Sequence, residues 1–142
     1  MPNQTGLSDE ELISAIRAQY HFRPSPEGLL AWDVRHLVRL SRGLPVQAVP
    51  LAQLAELDSE HWYGHGNIRP TVRSIVEHCQ LMLAADLAYP IILDSAGRVM
   101  DGMHRVSKAL MQGHTHIDAV QFEQDPAPDH VDCDPDALPY DD

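Results

Sequence analysis

The spacing of apolar positions changes several times along the chain, and each change predicts an element. Leu12, Ile13 and Ile16 recur at helical steps behind Ser8 and Glu11, a capping-box pair, so a helix is expected from about Asp9 to Tyr20, after a loose end at residues 1–7. Arg23-Pro24-Ser25-Pro26 interrupts it. With Ser25 as N-cap and Pro26 at the first helical position, a second helix is predicted, with Leu30, Val34, Leu37 and Val38 on its core side and Gly43 closing it. Pro45 to Pro50 reads as a short strand, followed by a helical turn from Leu51 to Leu57, and Asp58 to Pro70 has neither period and reads as a loop. From Thr71, the positions Val72, Ile75, Val76, Cys79, Met82 and Leu83 repeat at three and four residues, which predicts the strongest helix of the chain, ending near Leu87, with Cys79 as a buried, inert thiol. Pro90 to Asp94 then reads as a strand, Ser95 to Arg98 as a turn and Val99 to Asp101 as a second short strand. Gly102 opens a helix with core positions Met103, Val106, Ala109 and Leu110, closed by Gly113, and Ile117 to Phe122 is the last strand.

Composition narrows the class. The 142 residues suit one domain with a real core, 44% of them hydrophobic. No apolar run approaches the roughly 20 residues that span a bilayer. No basic-then-apolar leader is visible, and Cys79 and Cys133 make no disulfide framework, so a cytoplasmic protein is expected. The net charge of −11 is uneven, because eight acids and no Lys or Arg fall between Glu123 and Asp142. With four prolines, that stretch reads as an unstructured acidic tail. Residues 1–122 carry thirteen acids against ten bases, and without a basic surplus nonspecific DNA binding is disfavoured.

The chemistry concentrates in Asp101-Gly102-Met103-His104-Arg105, at a strand-to-helix junction. The first turn of a helix offers free amide hydrogens and partial positive charge, together an anion site. Gly102 lets a ligand approach the backbone, Arg105 can fork onto phosphate or carboxylate oxygens, and His104 and Lys108 lie one turn apart on one side. Asp101 can hold a metal, accept a proton from a hydroxyl or orient Arg105. The plain alternative is a hairpin corner with surface cations.

The stretch Tyr89 to Phe122, centred on PIILDSAGRVMDGMHRVSKALMQG, resembles the core of the ParB/sulfiredoxin superfamily, and Leu44 to Leu51 resembles its first strand. The resemblance implies an α+β fold, a small mixed sheet with packed helices, over residues 44–122; the two helices predicted within 1–43 lie outside it as an extension, and the acidic tail at 123–142 follows. It implies phosphate contacts at Gly102, Met103, His104 and Arg105, and a nucleotide ligand (ATP, ADP or CTP) with Mg²⁺. Met103 stands where sulfiredoxins carry their cysteine nucleophile, which removes that activity, and no helix-turn-helix follows as it does in ParB partition proteins. Asp-Gly-Met-His-Arg is most similar to the Asp-Gly-His-His-Arg box of the superfamily's free-serine kinases. That likeness implies phosphoryl transfer to a small acceptor, with Asp101 as base and Glu56 as second carboxylate. The alternative is a regulatory module that binds a nucleotide or other anion without catalysis, and a partition-related role on DNA stands behind both.

Two further features remain. Trp32, Arg35, Arg39 and Arg42 share a face if the second helix forms, giving either a solvated surface or a stacking wall for a substrate or the acidic tail. The loop His61-Trp62-Tyr63-Gly64-His65-Gly66-Asn67 reads as a substrate-lining segment or a plain surface loop, and no metal site is assigned to it.

Overall fold

A computed structural model describes residues 19–63 and 68–140. The expected helix at Asp9–Tyr20 falls outside these residues except at its end, where Tyr20 begins a strand. The chain is a mixed α+β protein that divides into two compact units, one of them Leu44–Gln124, the other joining the residues before it to those from Asp125 onward.

In the first unit, strands β1 (Tyr20–Ser25) and β2 (Gly28–Asp33) form an antiparallel hairpin, and helix α1 (Val34–Ser41) follows. This corrects the expected long helix from Pro26. Ser25-Pro26-Glu27-Gly28 also satisfies a β-turn, with Ser first, Pro second and Gly fourth. Ser25 Oγ donates to the Gly28 carbonyl at 2.6 Å and accepts from the Glu27 amide at 3.1 Å. Once the turn forms, Tyr20-His21-Phe22 and Leu29 to Trp32 pair as strands, and the helix starts only at its own cap, where Asp33 accepts from the Arg35 amide at 2.9 Å.

The face imagined for Trp32 with three arginines therefore does not exist. Trp32 lies in β2, buried, with the Arg23 guanidinium 4.9 Å from its ring centroid. Its indole N–H donates to the Pro126 carbonyl at 2.8 Å. Nor is the acidic tail structureless: Ala31 of β2 and His130 exchange backbone bonds at 3.0 and 3.1 Å, and the Cys133 amide donates to the Leu29 carbonyl at 3.1 Å. Asp129 accepts from the Asp33 amide and meets His36 Nδ1, both at 2.8 Å, and Leu138 is buried. Composition describes how little the tail can bury alone; the open edge of β2 supplies the partners.

In the second unit, β3 (Gln47–Pro50), β4 (Ile91–Leu93), β5 (Val99–Asp101) and β6 (His116–Gln121) form a mixed sheet in the order β3-β6-β4-β5, with only the β4–β6 pair parallel. Two short 3₁₀ turns, Leu51–Gln53 and Ala55–Asp58, stand where one helical turn was expected. Helix α2 (Val72–Ala84) is capped by Thr71, which accepts from the Ser74 amide at 3.1 Å, and α3 (Met103–Met111) follows β5 directly. Leu51, Leu54, Ile91, Leu93, Val99, Met103, Val106, Ala109, Ile117 and Ala119 make the core. Leu110, expected in it, is exposed. Among the described residues no helix is long and apolar enough to cross a membrane.

Helix α2 holds the largest surprise. None of its residues is buried, and Cys79, expected inside, is exposed along with Val72, Ile75, Val76 and Leu83. At roughly 100° per residue, that apolar arc lies more than a third of a turn, roughly 135°, from the side bearing Ser74 and His78, which make the helix's contacts. Periodicity identified the apolar side correctly, but a different side packs.

The junction into α3 depends on Gly102, whose φ of 111° is left-handed and where an added Cβ would lie 2.6 Å from Ile91 Cγ2. Gly113, closing α3, is also left-handed, but nothing lies within 4 Å of its Cβ position. Urea unfolding should therefore separate the two: Gly102→Ala is expected to cost about 3 kcal/mol or more, strain and collision together, and Gly113→Ala about 1 kcal/mol.

Candidate functional site

The β4–β5 hairpin aims the junction, and a buried carboxylate folds that hairpin. Asp94 is fully buried; its Oδ1 accepts from the Ala96 and Arg98 amides and its Oδ2 from Arg98 Nε, all at 2.9 Å. Such a ring of donors offsets the cost of burying the charge. β5 then delivers Asp101 to the start of α3. No side chain caps that helix, and its first internal bond runs from the Val106 amide to the Gly102 carbonyl at 3.0 Å, so the amides of Met103, His104 and Arg105 precede the ladder.

The candidate residues divide into three groups. Asp101, Gly102, His104 and Arg105 meet at the junction. Arg105 is committed there: Nη2 donates to Asp101 Oδ2 at 2.8 Å, and Nη1 donates to the carbonyls of Tyr89 at 3.1 Å and Pro90 at 2.7 Å. Met103 contributes its backbone only, since its side chain is in the core. Lys108 turns away and donates to the Leu83 and Ala85 carbonyls at 3.0 and 2.6 Å, finishing the C-terminal end of α2. Glu56 comes to the start of the same strand, where Oε2 accepts from the Val99 amide at 2.7 Å. It acts there as a peg between the second 3₁₀ turn and β5.

Sequence reasoning missed the neighbours of His104. His78 of α2 places Nδ1 2.9 Å from His104 Nε2, and the two nitrogens share a hydrogen. Trp62 lies over both rings, with centroids 4.2 Å from His78 and 4.8 Å from His104 at interplanar angles of 19° and 14°. Tyr63 stands edge-on to His78 and bonds Ser74 Oγ at 2.9 Å. Of the loop flagged in the sequence, His61 to Tyr63 thus borders the junction, while Gly64 to Asn67 lie outside the described residues. His78 carried no local signal, because its partner is 26 residues away.

Burial, then His78, His61 and Arg105, push the His104 pKa down to about 4, and burial also lowers that of His78. Among the described residues no three His, Cys, Asp or Glu side chains come together as metal ligands. The chain matches no protein-family model, no curated protein and no solved structure.

Two outcomes follow for this region. Glu56→Ala leaves the buried Val99 amide without its acceptor and should lower unfolding free energy by about 1–3 kcal/mol in a urea titration. His104 is neutral in the folded state down to about pH 4 but protonates near 6.5 once unfolded. The unfolded chain binds more protons between those values, so the His104 contribution is intact above pH 6.5 and is lost as pH falls toward 4. Thermal melts from pH 7.5 to 4 should show a shallower decline in His104→Gln than in the unsubstituted protein.

Proposed function

We propose that the protein is a binding module for a phosphate-bearing small molecule, held at the N-terminal end of α3. The observation that carries this reading is the junction at Gly102: a glycine in left-handed conformation starts a nine-residue helix that no side chain caps. Three successive amides there are suited to an oxyanion. His104 stands in the same first turn as a neutral imidazole, able to donate one hydrogen bond. The resemblance of Tyr89 to Phe122 to the ParB/sulfiredoxin superfamily supports the reading and supplies the ligand class, a nucleotide such as ATP, ADP or CTP, with Mg²⁺ entering on its phosphates.

Binding is preferred to phosphoryl transfer because both carboxylates assigned to proton transfer already have work in the fold. Asp101 holds Arg105, and Glu56 holds the Val99 amide. A role on DNA is disfavoured by the acidic balance of the chain.

Isothermal titration with ATP, ADP, CTP and inorganic phosphate, with and without Mg²⁺, tests the proposal. At least one should bind, and His104→Glu, which sets a carboxylate in the first turn, should weaken it by about tenfold or more while favouring the helix itself. Circular dichroism checks that the fold is kept. Absence of binding by the unsubstituted protein to all four would end the proposal, as would unchanged affinity in His104→Glu.

A further inference from the structure

Two imidazoles face each other nitrogen to nitrogen beside the α3 junction, and one indole covers both. The ring planes of His78 and His104 are 24° apart, so the pair lies nearly flat under Trp62. Of the two facing nitrogens, one carries the hydrogen and the other the lone pair. The neutral pair therefore has two arrangements. Either His78 donates from Nδ1, and His104 keeps its own hydrogen on Nδ1, or His104 donates from Nε2 and leaves a lone pair on Nδ1.

One added proton removes that choice without breaking the contact. An imidazolium on either side donates across the gap to its neutral neighbour, and the bond becomes charge-assisted. The surroundings decide which ring carries the charge. His104, from α3, is affected by His61 of the loop and by Arg105 on its own helix, and both disfavour a cation, as does burial. At His78 burial likewise disfavours a cation, but Glu77 beside it on α2 favours one, an offset His104 lacks, and Tyr63 presents its ring from the loop without charge. The cation belongs on His78, with the indole face against it.

We propose that His78 and His104 take up one proton as a unit, held on His78, and that this proton fixes His104 as a neutral ring with its hydrogen on Nδ1. A second proton would put hydrogens on both facing nitrogens, part the rings and break the stack under Trp62. The consequence for ligand rests on the oxyanion reading above: in the singly protonated state α3 begins with an oriented donor and a positive charge one ring behind it, so phosphate affinity rises as pH falls through this step. His78 is then a positioning residue that acts through His104.

Long-range ¹H–¹⁵N NMR of the ligand-free protein from pH 8 to 4 reads the pair directly. In the first step His78 should show two protonated nitrogens and His104 a protonated Nδ1 with a bare Nε2, while the Trp62 indole resonance stays in place until the second step. An imidazolium on His104 in the first step, or titration of His104 that is the same in His78→Gln as in the unsubstituted protein, overturns the proposal. Glutamine can still donate to His104 Nε2 but cannot take the proton, so His78→Gln should keep the His104 tautomer and lose the pH response.

Titration calorimetry with Mg²⁺–ATP, Mg²⁺–ADP and Mg²⁺–CTP at pH 8 and pH 5 supplies the second arm. Affinity in the unsubstituted protein should rise roughly five- to tenfold beyond the change seen in His78→Gln, which corrects for titration of the phosphate itself. Equal pH responses in the two proteins overturn the regulatory consequence. If no nucleotide binds at either pH while the NMR states are as described, the oxyanion reading fails and the proton-sharing pair stands.

Discussion

Everything at the candidate site depends on how one guanidinium spends its hydrogens. Arg105 ties the chain just before β4, through the Tyr89 and Pro90 carbonyls, to the end of β5, through Asp101, and to its own helix. Its planar fork can serve several acceptors at fixed angles, which a lysine could not do. The lead-in to β4, the end of β5 and the first turn of α3 are thereby held together around Gly102. The cost is that Arg105 is no longer a loose cation waiting for a ligand. Attraction for an anion there comes first from the backbone amides, and an anion that engaged Arg105 would compete with Asp101.

The same economy runs through the rest of the second unit. Lys108 finishes α2, Glu56 pegs β5, and Asp94 folds the hairpin between β4 and β5. In each case a charged side chain satisfies backbone groups that burial or a helix end would leave unpaired, an arrangement worth more than an exposed ion pair. His104 is the exception in the first turn of α3, because its partner is another imidazole and an aromatic cover rather than the main chain.

What could be read from the sequence was local. The run from Ile91 to Gln121 was legible because its signals act over a few residues: the glycine at the helix start, the alternation in the short strands and the turn at Asp94-Ser-Ala-Gly-Arg98. Ser25-Pro26 was misread because those two residues serve a helix cap and a β-turn equally well, and only the pairing of Phe22 with Ala31 decides between them. Cys79 was misplaced because periodicity reports an apolar side and says nothing about which side finds a neighbour. That Asp101 to Arg105 meet at a helix start was legible too, since strand end, glycine and helix follow one another directly in the chain. The pairing of Asp101 with Arg105 was among the readings, but the main-chain bonds of Arg105, Lys108 and Glu56 were not legible, because each depends on a carbonyl or amide brought near by tertiary structure. The His78–His104 contact is of the same kind.

The strap formed by residues 125–140 along β2 gives this chain an order of assembly. During synthesis all four strands of the Leu44–Gln124 sheet emerge before the residues that cover the outer edge of the β1–β2 hairpin. The hairpin, although translated before that sheet, is thus completed after it, and until Asp129 and His130 leave the ribosome, β2 presents bare peptide groups to whatever strand passes by. A nascent chain stalled short of that point would carry one complete sheet and one whose edge is still open to pairing.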